Sequence, residues 1–239
     1  MKNNLTEKDI ENLNKWAEKY DIEELKIKDK EKIFNLEELH ISNDNLTELP
    51  KEIGILTNLK SLIIRCNNLK ELPKEIFNLI NLKELNINSV SLTELPKEIG
   101  NLTNLKSLII RCNNLKELPK EIFNLINLEE LYIRNNNLTE LLKEIGILTN
   151  LKILDIECYN LKELPKEVFN LINLEKLRII SNNLEISPDG IEKLINLEKL
   201  DININIINEN FNFKSLPIEE IGKLNNLKEF DISIRKWEK

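Results

Sequence analysis

The chain of 239 residues carries a formal net charge of −7, with 41% hydrophobic residues and only 5% aromatics. This acidic balance disfavours a nucleic-acid partner, because phosphate binding draws on a basic excess, and no stretch approaches the roughly 18 apolar residues needed for membrane insertion. With His40 the single histidine and five glycines scattered one at a time, multi-histidine metal sites, catalytic pairs or triads beyond that one residue, and Gly-rich phosphate loops are excluded.

Residues 6–20 open the chain at helical spacing. Thr6 and Asp9 stand as in a capping box, with Asp in place of the usual Glu or Gln, and Ile10, Leu13, Trp16, Ala17 and Tyr20 then recur along one stripe. The polar side holds Glu7, Asp9, Glu11 and Glu18 as well as lysines, which suits a cap over the end of a stack better than a membrane-surface helix. The opening MKNNLTEKDIENLNKW lacks the apolar core and cleavage signature of a secretory signal. A cytoplasmic protein is expected, with export by another route left open. Ile22, Leu25 and Ile27 follow in LxxLxI spacing, and Ile33 and Phe34 lead into Leu36. Residues 1–35 are read as a capping helix and a truncated first repeat.

From Leu36 a frame LxxLxIxxNxLxxLPxxIxxLxx returns every 23 residues, at Leu59, Leu82, Leu105, Leu128, Leu151, Leu174 and Leu197, and again at Leu227. Each unit is too small to bury its own apolar face and must stack on its neighbours. Residues 36–239 are therefore read as one array of about nine repeats. Segments such as Leu62-Ile63-Ile64 and Leu131-Tyr132-Ile133 alternate inward and outward, which predicts short strands paired in parallel along the stack. The asparagine that follows (Asn67, Asn113, Asn136, Asn182, Asn205) is expected inside the turn, satisfying buried backbone groups. Asp44 imitates it in part. Val90 and Tyr159 do not, so loosening or water is expected in their turns.

Leu-Pro then recurs at Leu49-Pro50, Leu72-Pro73, Leu95-Pro96, Leu118-Pro119 and Leu164-Pro165, with Leu142 in place of Pro in the fifth unit. Proline suits the first turn of a short 3₁₀ or irregular return limb and not a central strand. A second period overlies the first. Gly54, Phe77, Gly100, Phe123, Gly146 and Phe169 alternate at one position, and residues 56–82 are identical to residues 102–128, so the duplicated unit is 46 residues long. The phenylalanines are read as packing and not as a ligand row. Cys66, Cys112 and Cys158 share that longer period, which places neighbours roughly 10 Å apart, too far for a disulfide. Free thiols in a reducing compartment follow, without zinc, and Cys112 is expected at the rim of the outward strand face. The interval from Leu197 to Leu227 is longer than 23 residues, which implies an insertion at about 207–217 that contains Phe211 and Phe213. It is either functional or packed over the terminal repeats. The final strand, Phe230 to Ile234, is followed by Arg235-Lys236-Trp237 as a minimal cap, which leaves that edge open to self-association.

The frame resembles the leucine-rich repeat family, in its 23-residue form with LPxxIxxL in the return limb that is common in bacterial proteins. The match covers more than four-fifths of the chain. The resemblance implies an α/β solenoid, a curved right-handed superhelix with a parallel β-sheet on its concave side and a 3₁₀ or irregular convex side, used mainly to bind other proteins. Outward strand positions then form rows. Ile63, Ile109 and Tyr132 share one row and Arg65, Arg111 and Arg134 the next, with Asp155 and Glu157 bounding them on the C-terminal side. Arg and Tyr are enriched in binding hot spots. The expected function is a non-enzymatic module that binds a partner protein or peptide with acidic and apolar groups on this face, with no cofactor and no metal. The alternative is a structural, self-assembling spacer or an adhesion-type repeat protein. Catalysis would have to depend on His40.

Overall fold

The computed structural model describes residues 6–182, 184–186, 190–207 and 218–236. Most of the expected insertion, with Phe211 and Phe213, and Trp237 lie outside the described residues. Nine strands form one parallel sheet: β1 (Glu38–Ser42), β2 (Ser61–Arg65), β3 (Glu84–Asn88), β4 (Ser107–Arg111), β5 (Glu130–Asn135), β6 (Ile153–Cys158), β8 (Lys176–Asn182), β10 (Lys199–Ile206) and β11 (Glu229–Lys236). Two short strands, β7 (Glu163–Leu164) and β9 (Glu185–Ile186), pair separately. Register follows the repeat: Leu39 stands opposite Leu62, Leu62 opposite Leu85, and so on to Leu200. Inward leucines and isoleucines meet like residues above and below. A one-residue slip would expose the whole ladder, which is why the register holds. Leu62, Leu85, Leu108, Leu131 and Leu154 are fully buried, each stabilising the fold by about 1.5–3 kcal/mol relative to exposure.

Six return limbs are five-residue 3₁₀ turns, beginning with Lys51–Ile55 and Lys74–Asn78, followed by a three-residue 3₁₀ turn (Ile191–Lys193) and a short α-helix (Ile218–Ile221). Five of the six five-residue turns start just after a proline, whose φ lies between −57° and −71°. Leu142 adopts φ −67° at the same place, so proline pre-sets a conformation that leucine reaches at an entropic cost only.

The turn after each strand corrects one expectation. Asn67 and Asn136 are exposed, and Asn113 only half-buried. The buried turn position is one residue earlier, at Cys66, Ser89, Cys112, Asn135, Cys158 and Ser181. There Ser89 donates to the Leu69 carbonyl at 2.9 Å, and Ser181 to those of Cys158 (2.6 Å) and Leu161 (2.9 Å). Asn135 donates to the carbonyls of Cys112 (2.5 Å) and Leu115 (2.8 Å) and accepts from the Asn137 amide at 2.6 Å and the Leu138 amide at 2.5 Å. Val90 and Tyr159 therefore stand one residue past the buried turn position: Val90 is exposed, and the Tyr159 hydroxyl donates to Glu157 at 2.8 Å. A second ladder, unforeseen, uses the asparagine before each frame leucine. Asn81, Asn104, Asn127 and Asn150 each donate to the carbonyl 24 residues back, at 2.8–2.9 Å.

The alternating position packs as expected. Phe77, Phe123 and Phe169 are buried. A Cβ on Gly54 would lie 2.2 Å from the Glu75 carbonyl oxygen, and on Gly100 2.7 Å from that of Glu121. Glycine lets the limb of one unit close on the next.

The cysteines are free but not at a rim, because all three are fully buried and Cys112 faces the interior. Burial pushes the Cys112 thiol up to about 11 and Cys158 to about 12. Thiol reagents are expected to leave all three untouched in the native chain and to label all three in urea; a fast-reacting thiol in the native chain would contradict this burial. Since the folded values lie above the ordinary 9.0, the folded chain holds these protons more tightly than the unfolded one. Their contribution to stability is complete below pH 9 and declines as pH rises through 11 to 12, which alkaline titration of the denaturation midpoint measures.

Helix α1 (Glu7–Tyr20) carries the expected capping box: the Asp9 amide donates to the Thr6 hydroxyl at 3.2 Å, and the Thr6 amide to the Asp9 carboxylate at 2.9 Å. Ile10, Leu13 and Ala17 are buried against the array. Leu25 is fully buried, yet the segment around it adds no strand to the sheet. Asn14 of α1 instead donates to the carbonyls of Leu25 (2.5 Å) and Ile27 (2.9 Å).

Candidate functional site: the outward face of the sheet

Strand alternation turns every other side chain of the sheet away from the core, and the parallel register arranges these side chains in rows across the strands. One row reads His40, Ile63, Asn86, Ile109, Tyr132, Asp155, Arg178, Asp201, Asp231. The next reads Ser42, Arg65, Asn88, Arg111, Arg134, Glu157, Ile180, Asn203 and Ser233. Ile63, Ile109 and Tyr132 do fall in one row and Arg65, Arg111 and Arg134 in the other, but asparagine interrupts both. Ile63, Ile109 and Tyr132 are half-buried, while Arg65, Arg111 and Arg134 are exposed.

Charges divide this face into two parts. Among the described residues, Arg65 and Arg111 have no ion pair. Arg134 lies 3.3 Å from Glu157, a pair whose exposed arginine limits it to about 0–1 kcal/mol. Arg178 reaches Asp155 at 3.0 Å, Asp201 at 3.3 Å and Glu157 at 3.9 Å. Partial desolvation pulls the Arg178 pKa down, but the hydrogen bond and charge of Asp155, with Asp201 and Glu157 behind it, hold it above the ordinary arginine value. Burial, followed by the charges of Glu130 and Asp155, raises the Tyr132 phenol. Asp155 and Glu157 are therefore engaged by arginines of their own chain. Arg178, Asp201 and Tyr159 were missed as members of this network. Their signal was legible, because Asp155, Arg178 and Asp201 are spaced by the repeat length.

The apolar row hides one anomaly. Asn86 is only 6% exposed, and its Oδ1 is buried with no hydrogen-bond partner. Among the described residues, no group of three His, Cys, Asp or Glu could hold a metal ion, and no helix is long and apolar enough to cross a membrane. His40 is exposed on β1.

The sequence profile of the leucine-rich repeat region matches residues 74–139 and 124–239. No curated protein matches significantly. Among solved structures, the leucine-rich repeat domain of the type III effector XopL is 31% identical, with a TM-score of 0.70, over 86% of this chain and 70% of that one. Internalin C2 from Listeria monocytogenes shares the fold at 18% identity and a TM-score of 0.58, over 87% and 83% of the two chains. The plant peptide hormone receptor RGFR1, solved in complex with RGF2, is 25% identical, with a TM-score of 0.57, over 79% of this chain and 31% of that one.

Proposed function

Because the chain belongs to the leucine-rich repeat family, whose members commonly serve as protein interaction modules, we propose that it binds a partner protein or peptide on the outward face of its sheet and performs no catalysis. The observation that carries this reading is the pair Arg65 and Arg111. Both are exposed and without an ion pair among the described residues, beside the half-buried Ile63, Ile109 and Tyr132, in a chain whose net charge is −7. Local positive charge on an acidic protein selects acidic partners and steers their approach, and the adjacent apolar row supplies desolvated contact area. The RGFR1 complex supports the reading at the level of the fold, since that similar array is solved with a bound partner. The buried free thiols suit a reducing, cytoplasmic setting.

A photo-crosslinking residue at Ile63 or Ile109 is expected to capture a partner from host lysate, whereas the same residue at exposed Ile126, outside the sheet, is not. Arg65→Glu with Arg111→Glu is expected to weaken capture about thirtyfold, the scale of losing a hot spot of about 2 kcal/mol, with circular dichroism unchanged. Equal crosslinking from Ile126, or indifference to the two charge reversals, would reject the face.

A further inference from the structure

This inference rests on the face proposed above and concerns the chemistry of its ligand. Residues 56–82 and 102–128 are identical, so β2 and β4 present the same outward trio, Ser61, Ile63, Arg65 and Ser107, Ile109, Arg111, on either side of β3. Two identical surfaces in one register recognise the same side-chain chemistry twice. Parallel strands about 4.8 Å apart set the interval between the two at about 9.6 Å. The unit between them differs. There β3 places Asn86 between the isoleucines and Asn88 between the arginines.

Asn86 bears on the ligand because it is badly suited to the fold alone. A buried amide oxygen with no donor, set between two isoleucines, is destabilising, and an aliphatic residue would complete the row. A donor carried by a ligand would satisfy that oxygen. Chain geometry then selects among ligand backbones. Every third residue of a polyproline II helix recurs on one face after about 9.3 Å, and its backbone N–H groups are free. Alternate residues of a β-strand lie about 6.7 Å apart and do not match. An α-helix brings its seventh residue round after about 10.5 Å, but its N–H groups are already bonded within the helix.

We propose that the face spanning β2, β3 and β4 binds an extended, polyproline-II-like peptide bearing two acidic side chains three residues apart. One acid pairs with Arg65 and the other with Arg111. Proline or aliphatic side chains pack on Ile63 and Ile109, and a non-proline backbone N–H between them donates to Asn86. The terminal torsion of an amide is broad, so a partial turn brings Oδ1 to that donor.

Fluorescence anisotropy with proline-rich peptides about ten residues long tests this. A peptide with Glu at i and i+3 is expected to bind about tenfold more tightly than isomers with i,i+2 or i,i+4 spacing, or than a stapled helix with Glu at i and i+7. N-methylation of the central non-proline amide is expected to cost about tenfold, the loss of one buried hydrogen bond. In the protein, Asn86→Leu is expected to raise Tm and weaken the i,i+3 peptide about tenfold. A higher Tm with unchanged affinity would mean that Asn86 is a packing fault and would overturn the proposal. Equal affinity for all spacings, preference for the helix, or no peptide binding would also overturn it, while leaving crosslinking from Ile63 intact. Loss of that crosslinking would instead remove the face itself.

Discussion

Asn135→Ala is expected to destabilise the protein by about 3 kcal/mol, and Asn135→Cys by about 1 kcal/mol. The Asn135 side chain is fully buried and serves four backbone groups, the carbonyls of Cys112 and Leu115 and the amides of Asn137 and Leu138. Alanine removes the partner of the Leu115 carbonyl and of the Asn137 and Leu138 amides, while the Cys112 carbonyl keeps the Leu115 amide at 3.2 Å, and each orphan that stays buried costs on the order of 1–3 kcal/mol before relaxation. Cysteine is milder because the flanking units already close their turns around Cys112 and Cys158. Such turns depend on the polar residue one unit ahead, as Ser181 shows by donating to Cys158 and Leu161. Urea denaturation of the two variants beside Cys112→Ala settles the matter. If Asn135→Ala costs no more than Cys112→Ala, the turn network contributes little.

Gly54→Ala is the second large effect expected, a loss of about 2–3 kcal/mol, within the range for overpacking a closed interior. The new Cβ would meet the Glu75 carbonyl oxygen at 2.2 Å and its carbon at 2.5 Å, and backbone cannot swing aside as the end of a side chain can. Gly100→Ala and Gly146→Ala meet their neighbours' oxygens at 2.7 Å and should cost less. Gly222→Ala, with nothing nearer than 3.4 Å, should be close to neutral. The order of the four denaturation midpoints is the test. A Gly222 variant as unstable as the Gly54 variant would show that lost glycine flexibility, and not close contact between units, sets the cost.

The solenoid was legible because its spacing is rigid. Leucine at 23-residue intervals can bury itself only against the next unit, and alternation around Leu62 and Ile64 then fixes which face of the strand is outward. The turn was misread for a local reason. In RCNNL and RNNNL, asparagines crowd the positions after the strand, and nothing in the residue types says which one turns inward. Asn135 and Asn136 differ in burial, not in chemistry. Cys112 was misplaced by the same single residue. The rows carrying Ile63 and Arg65 were readable from register alone, whereas Asn86 was one more asparagine in a chain full of them. Only its buried, unpartnered oxygen sets it apart.

The fit of Gly54 against Glu75, with bulky Phe77 following, also constrains how such an array can lengthen. Adding a single 23-mer would set two glycine limbs side by side, leaving a void, or two phenylalanine limbs, forcing them apart. Growth in doublets preserves every junction. Recombination between misaligned copies would therefore leave viable descendants only when it shifts by an even number of turns, and the copy of residues 56–82 at 102–128 is the trace expected of such an event.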